Sequence, residues 1–347
     1  MARKFTLRDV AQEARVSVGT VSHYLNNPES VKPINKQRIE SAIDQLNFTP
    51  SVSARSLASG KSRNIMLFVL SERIISPTTW LHQLPVIQTV HDMLNASGFS
   101  LQVAIAYEED YDSFFAKVRL SVESGAADGI LFLSVWKLQD ELIDYLVDRK
   151  YPFVCLDNEG EHRNVDYVCF DQRQLMNDLF DEIYAFGHRS IAYVGVRSHQ
   201  QDMYLRFEGY CDGLRRHDLA FDDRRVLYGD FSIESGKACV GKALDEGFDC
   251  TAILCGNDNM AVGALEAIVE RGMDVPGDIS LVGVDNSIAA KACTPHLQTA
   301  EFDMEKLAML GVRALLRRID RDVEKGTLRR LKYKLIDGAT LGPVRPG

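Results

Sequence analysis

Polar and acidic side chains recur at one kind of place in this 347-residue chain, just after short apolar runs. Ser71 follows Ile65–Leu70, Ser134 follows Gly129–Leu133, Asp157 follows Phe153–Leu156, Asn257 and Asp258 come just beyond Ala252–Cys255, and Asp285 follows Ile279–Val284. Hydroxyls, amides and carboxylates converging at strand ends suit a ligand rich in hydroxyl or amide groups. Trp80, Trp136 and Phe231 fall in predicted loops shortly after such runs, where a flat ring can stack on a sugar or a base. Arg206, within Tyr204-Leu205-Arg206-Phe207-Glu208-Gly209, offers a fork of donors to the same ligand. Two other readings stay open. Asp157, Asp258 and Asp285 are also residue types for acid–base catalysis, and any of these polar residues can simply cap the helix that follows its strand.

Catalytic signatures are missing. There is no G-x-x-x-x-G-K-[ST], G-x-S-x-G or H-E-x-x-H, and Ser235-Gly236-Lys237-Ala238 lacks the earlier glycine of a phosphate loop. Cys155, Cys169, Cys211, Cys239, Cys250, Cys255 and Cys293 form no C-x-x-C pair and no zinc-finger spacing, so they read as reduced, mostly buried thiols without a metal. No cofactor is implied. No apolar run has membrane-spanning length, and Met1 to Leu7 carry charge without an apolar h-region, which makes a soluble cytoplasmic chain the expectation.

The elements that must hold these residues follow from periodicity. Apolar runs, Leu101–Ala106 and Ile191–Val194 among them, alternate with amphipathic stretches, the pattern of parallel sheets covered by helices on both faces. About 280 residues is large for one such sheet, and the runs restart near Val168, so two similar α/β lobes are expected.

Ahead of them lies a different unit. The chain carries a formal charge of −9, divided as +4 over residues 1–62 and −13 over the rest. A small basic head on an acidic body directs only the head toward phosphate. Thr6-Leu7-Arg8-Asp9 reads as a capped start to a helix over about 6–14, with Leu7, Val10, Ala11 and Ala14 at helical spacing. Ser17 can cap a second helix whose inner face is Val21 and Leu25, and a third carries Ile39, Ala42, Ile43 and Leu46. The first pair is a helix-turn-helix. Residues 49–60 then offer barely one short helix, too short to persist in water unless something packs on it.

Together these residues resemble the LacI/GalR family of bacterial regulators along nearly the whole chain. The resemblance is strongest over Thr6-Leu7-Arg8-Asp9-Val10-Ala11, Val16-Ser17-Val18-Gly19-Thr20-Val21-Ser22 and Leu25-Asn26-Asn27-Pro28. It continues through Pro50–Gly60, Phe186-Gly187-His188-Arg189-Ser190-Ile191, Gly229-Asp230-Phe231-Ser232, Asn257-Asp258-Asn259-Met260-Ala261 and Pro276-Gly277-Asp278-Ile279-Ser280. The fold it implies is a three-helix head on a two-lobed, periplasmic-binding-protein-like, doubly wound α/β body. The implied domains are a head at 1–48, a hinge at 49–62, an N-terminal lobe of 63–162 plus about 293–322, and a C-terminal lobe of 163–292 plus about 323–342.

By the same resemblance the second helix enters the major groove, with Val18 and Gly19 facing bases and Thr6, Ser17, Thr20, Ser22 and Asn26 toward the DNA backbone. Glycine reaches no base edge and valine offers only an apolar contact, so few residues read sequence directly. His23 stands where the family usually has arginine, and Arg15 where it often has glycine, adding a charge near phosphate. Leu57 matches the leucine that the family's paired hinge helices wedge into the minor groove, with Ala54 beside it and Arg55 near the backbone. Arg206, Asp285, Phe231, Asn257 or Asp258, and Asp157 match effector-contact positions, and Ser71 and Trp80 belong to a longer-than-usual first loop of that site. Ser134 and Trp136 join the candidate ligand set from their strand-end position alone. The expected partners are a pseudo-palindromic DNA operator, a second copy of the chain and a small molecule, a sugar or sugar derivative; a membrane is not among them. A periplasmic-type sugar receptor and a small-molecule enzyme are the rival readings.

Overall fold

The computed structural model describes residues 5–26, 28–48, 62–71, 77–107, 110–321 and 323–345. The head forms three helices: α1 (Leu7–Glu13), α2 (Val18–Asn26) and α3 (Pro33–Gln45). Thr6 Oγ1 accepts from the amide of Asp9 while the Asp9 carboxylate accepts from the amide of Thr6, so two orphan donors of the first turn are satisfied reciprocally. Ser17 Oγ accepts from the Thr20 amide at 3.1 Å at the start of α2. Val10, Ala11, Ala14, Val21, Ile39, Ala42 and Phe48 close a small common core. Between α1 and α2, Arg15 adopts φ 54°, the left-handed turn for which glycine is the usual residue.

Two parallel sheets follow. The first has six strands in the order β11-β5-β4-β3-β1-β2: β1 (Asn64–Ser71), β2 (Ser100–Tyr107), β3 (Gly129–Leu133), β4 (Phe153–Leu156), β5 (Asp166–Phe170) and β11 (Leu328–Leu331). Its fully buried central strands are near-continuous apolar runs, as a sheet covered on both faces requires. Helices α5 (Tyr111–Glu123) and α6 (Asp140–Asp148) seal one face, and α4 (Pro77–Ala96) with α12 (Met304–Asp320) the other. The second sheet orders β7 (Val226–Gly229), β6 (Ile191–Val196), β8 (Ala252–Cys255) and β9 (Ser280–Val282). Around it stand α7 (Gln172–Ala185), α8 (Gln201–Arg216), α9 (Ile233–Asp245), α10 (Asp258–Glu270) and the short α11 (Ile288–Ala292). Gly283 and Asp285 donate to the carbonyls of Gln298 and Ala300, which extends that sheet toward the antiparallel pair β10 (Thr299–Glu301) and β12 (Lys334–Ile336).

The lobe limits differ from the sequence expectation, each crossover lying about ten residues later. Residues 163–170 and 323–331 were expected in the second lobe, yet β5 and β11 pair within the first sheet. Residues 293–301 were expected in the first lobe, yet β10 joins the second. The physical cause is Asp166. This fully buried carboxylate accepts from Arg317 Nη2 and Arg318 Nε on α12 and from the amide and hydroxyl of Thr327 just before β11. Burial pushes its pKa up, but the Thr327 and arginine bonds outweigh that and hold it below the usual carboxylate range. An exposed edge strand reading Leu-Arg-Arg-Leu has no apolar run to announce it.

All seven cysteines are free thiols, four of them buried, and burial pushes Cys250 up to about 12 and Cys211 and Cys239 to about 11. Among the described residues no helix is long and apolar enough to cross a membrane, and no cluster of ligating side chains fits a metal ion.

Candidate functional site

On the head, one flank of α2 leaves Ser17, Val18, Gly19 and His23 exposed, with Val18 showing 42% of its surface to solvent. Adding a Cβ at Gly19 meets only Ser17 Oγ, at 3.7 Å, so the backbone there is open to close approach. Thr20 and Ser22 are half-buried, and the hydroxyls of Ser17 and Thr20 bond each other at 2.8 Å. Thr6 and Arg15 are exposed at the start of α1 and in the turn. Ala54, Arg55 and Leu57 lie outside the described residues, and the side chain of Asn26 is not among those described.

In the body, the strand ends divide into two groups. Asp157 after β4, Arg206 on α8 and Asp285 after β9 converge. Arg206 is only 4% exposed; its Nε donates to Gln172 Oε1 at 2.9 Å, one Nη to the Gly256 carbonyl, and the other to Asp285 Oδ1 at 3.5 Å. Its guanidinium stands 5.6 Å from the ring centroid of Phe302, within cation–π range. Asp202 completes the cluster. Sequence reasoning passed over it, although its place four residues before Arg206 on the same helix was a usable signal.

The charges interact across the lobes. Burial first, then the carboxylates of Asp202 and Asp285, push Asp157 up to about 7 against the pull of Arg206. Burial also lifts Asp202 to about 6, opposed by Arg206 and by the Met203 amide that bonds it at 2.8 Å. Near neutral pH these carboxyls can therefore donate as well as accept hydrogen bonds. The backbone is strained in the same places: Asp157 has φ 55°, Asp285 φ 117° and Asn286 φ 49°. Non-glycine residues held this way recur at ligand clamps. Beside Asp285, and lined by none of Asp157, Asp202 and Arg206, a cavity of about 580 Å³ opens at the crossovers, with Lys291, Phe302 and Tyr333 on its wall. That volume is within the range of small-molecule sites.

The other strand-end residues are already engaged. Asn257 caps α10 through the Met260 amide and donates to the Phe231 carbonyl, which Asn259 also holds. Phe231 itself is half-buried with φ 71°. Asp258 is fully buried and accepts from Thr299 Oγ1 at 2.5 Å and the Ser287 amide at 2.7 Å, so it braces β10 and the loop after β9. Burial, then the nearby Asp285 charge, push it up to about 7 against those bonds.

Ser134 and Trp136 form a closed turn, with the Ser134 hydroxyl bonding both the amide and the carbonyl of Trp136. Trp136 is 5% exposed and packs in the core beneath α5 and α6, away from any open face. Trp80, expected in a loop, lies in the first turn of α4, which begins at Pro77, a residue suited to open a helix. Ser71 ends β1, paired with Tyr107. The side chains of Ser71 and Trp80 are not among those described.

Two family models match the chain: "Bacterial regulatory proteins, lacI family" over residues 6–51 and "Periplasmic binding protein-like domain" over residues 180–341. A probable HTH-type transcriptional repressor ExuR of Bacillus subtilis is 31% identical over 316 residues, covering 90% of each chain. The HTH-type transcriptional repressor PurR of Haemophilus influenzae Rd is 30% identical over 320 residues, covering 90% of this chain and 91% of its own. Among solved structures, the lac repressor dimer bound to operator and the anti-inducer ONPF superposes with a TM-score of 0.82 at 25% identity, covering 98% of this chain and all of that one. The transcriptional regulator CelR–cellobiose complex superposes with a TM-score of 0.69 at 25% identity over 97% and 99% of the two chains.

Proposed function

The chain belongs to the lacI family of bacterial regulatory proteins, and from that premise we propose the residues through which it acts as a DNA-binding transcriptional repressor under small-molecule control. Val18 and Gly19 on α2 approach bases, Ser17, Thr20, Ser22 and Asn26 approach the DNA backbone with Thr6 and Arg15, and His23 takes a single polar contact. Residues 49–62 connect head to body, with Leu57 as the minor-groove wedge beside Ala54 and Arg55. Two such heads on a homodimer read a pseudo-palindromic operator, in the cytoplasm.

The effector site centres on Arg206 with Asp157, Asp202 and Asp285, and Phe231 lies at its second-lobe side. Asn257 and Asp258 set its walls and leave the direct contacts to others. The single observation that supports this reading best is the buried Arg206 guanidinium, bonded to Asp285, Gln172 and the Gly256 carbonyl within the second lobe, with the first lobe's Asp157 close enough to feel the charges of Arg206, Asp202 and Asp285. A ligand that replaces part of that network bonds differently to the open and closed arrangements, and only such a difference shifts a population. Carboxyls able to donate and accept favour a hydroxyl-rich molecule, a sugar or sugar derivative, bound without turnover. The solved relative holding cellobiose is in keeping with that class.

The test is a thermal-shift screen of neutral sugars, uronic acids and nucleobases, repeated on Arg206→Met, with DNA retardation read in parallel. The reading predicts a stabilising sugar that changes retardation of a duplex selected by the protein from random DNA. A hit that the variant binds as well as the wild type would refute the assigned site, and consumption of the hit would favour an enzyme.

A further inference from the structure

The described chain resumes at Ser62, the last residue of the linker, and it is held by one side chain. Asp128, at the start of β3, accepts from the Ser62 amide at 2.7 Å and the Ser62 hydroxyl at 2.9 Å through Oδ1, and from the Arg63 amide at 2.9 Å through Oδ2. Both carboxylate oxygens are thus spent on two consecutive residues 65 and 66 positions away. Arg63 has φ 53°, a left-handed turn made without glycine, so the chain is bent sharply where it enters the sheet. Around this turn the bonds are dense. The Arg63 carbonyl accepts from the Ser100 amide, the Asn64 carbonyl from the Asp128 amide, and Asn64 Nδ2 donates to the Ala126 carbonyl. Tyr151 donates to the carbonyl of neighbouring Ala127 at 2.6 Å, which ties the clamp to β4. The next residue, Gly129, is packed closely against α12, where a Cβ would stand 2.9 Å from Leu315.

We propose that Asp128 is the anchor through which the effector-binding body sets the position and direction of the linker, a positioning residue for DNA binding that touches neither DNA nor effector. The inference rests on reading residues 49–62 as that linker. A rearrangement of the lobes reaches the head only through the point where the linker is fastened. Three charge-assisted bonds make that point stiff, and a strained turn needs surroundings that over-determine it. Without the clamp, Arg63 relaxes toward an ordinary φ, Ser62 is released, and the two heads of a dimer lose their shared spacing. Each head keeps its own contacts, so the loss falls on simultaneous docking rather than on affinity for phosphate.

The experiment uses the full-length protein, a duplex that the wild type has selected from random DNA, and an unrelated duplex of equal length. Asp128→Ala is expected to weaken the selected duplex about 5- to 150-fold, the span of a typical coupling, and to leave the unrelated duplex unchanged. Asp128→Asn, which keeps an acceptor oxygen, should fall between, Ser62→Ala should lose less because both amides stay bonded, and Asp148→Ala, an exposed carboxylate at the end of α6, should match the wild type. Trypsin should cut after Lys61 and Arg63 faster in Asp128→Ala, while melting of the body stays near the wild-type temperature. Equal losses on both duplexes, wild-type binding in both Asp128 variants, or unchanged cleavage at Arg63 would overturn the anchor role. A wild-type protein that selects no sequence at all would overturn the linker reading along with it.

Discussion

Replacing Asp157 with asparagine should stabilise the ligand-free protein above neutral pH. The unfolded chain releases this proton near 3.8, whereas burial beside Asp202 and Asp285 moves the release in the folded state to about 7. Between those values the folded protein holds a proton that the unfolded chain has lost. The stability this confers is complete below about 4 and disappears as pH rises through about 7. About three pH units at about 1.4 kcal/mol each amount to roughly 4 kcal/mol. Desolvating an asparagine amide at the same place consumes about 1–3 kcal/mol of that difference, so Asp157→Asn should gain about 1–3 kcal/mol at pH 8, or roughly 2–6 °C in melting temperature for a body of this size. Thermal melts of both proteins at pH 5 and pH 8 measure it. The variant should exceed the wild type at pH 8 and lose most of that advantage at pH 5, retaining the smaller slope that Asp202 contributes up to about 6. A variant less stable than the wild type at pH 8, or an offset identical at both pH values, would refute the argument that burial, with the carboxylates of Asp202 and Asp285 beside it, holds the Asp157 proton in the folded state.

Leu57→Ala should weaken a selected operator more than unrelated DNA, because a wedge is repaid only where the duplex kinks; equal losses in a retardation assay would count against it. Arg15→Gly should leave head stability within about 0.5 kcal/mol, since relief of a left-handed arginine is offset by glycine's greater unfolded entropy. Its salt dependence should nevertheless fall, by about one in the slope of log affinity against log salt, if Arg15 meets a phosphate. Trp136→Phe should leave effector affinity unchanged, because the indole is in the core and its Nε1 has no hydrogen-bond partner among the described residues; a tenfold loss by calorimetry would return it to the ligand site. Arg206→Met should cost roughly 3–5 kcal/mol by stranding buried partners, read by urea unfolding at pH 7, and wild-type stability would show that the guanidinium network contributes nothing.

Much of the candidate cluster carries local signals in the sequence. Asp157, Arg206 and Asp285 stand at strand ends or on a helix beside one, and the α/β pattern brings such places to one crevice. The strand-end rule has no way to separate a residue that faces the crevice from one that braces its wall. Asn257 and Asp258 satisfy the rule equally, yet their hydrogen-bonding capacity is consumed by Met260, Phe231, Thr299 and Ser287. Trp136 satisfies the loop-aromatic rule and is nevertheless buried. Asp202 escaped notice because a carboxylate in the first turn of a helix is ordinary until Asp157 and Asp285 are placed near it.

The chain's own pattern determined the class of the protein. The capped head helices, the basic 1–62 against an acidic remainder, and the alternation of apolar runs with amphipathic stretches all depend on interactions within a few residues, which a sequence states directly. Tertiary structure decided what depends on distant partners. The lobe limits turn on Asp166 meeting Thr327 and the arginines of α12, the candidate effector cluster on Arg206 bonding Asp285 within electrostatic reach of Asp157 from the other lobe, and the proposed linker anchorage on Asp128 reaching Ser62 and Arg63. Each is a buried or half-buried charge whose worth is set by which groups surround it, and that surrounding exists only once the chain has folded.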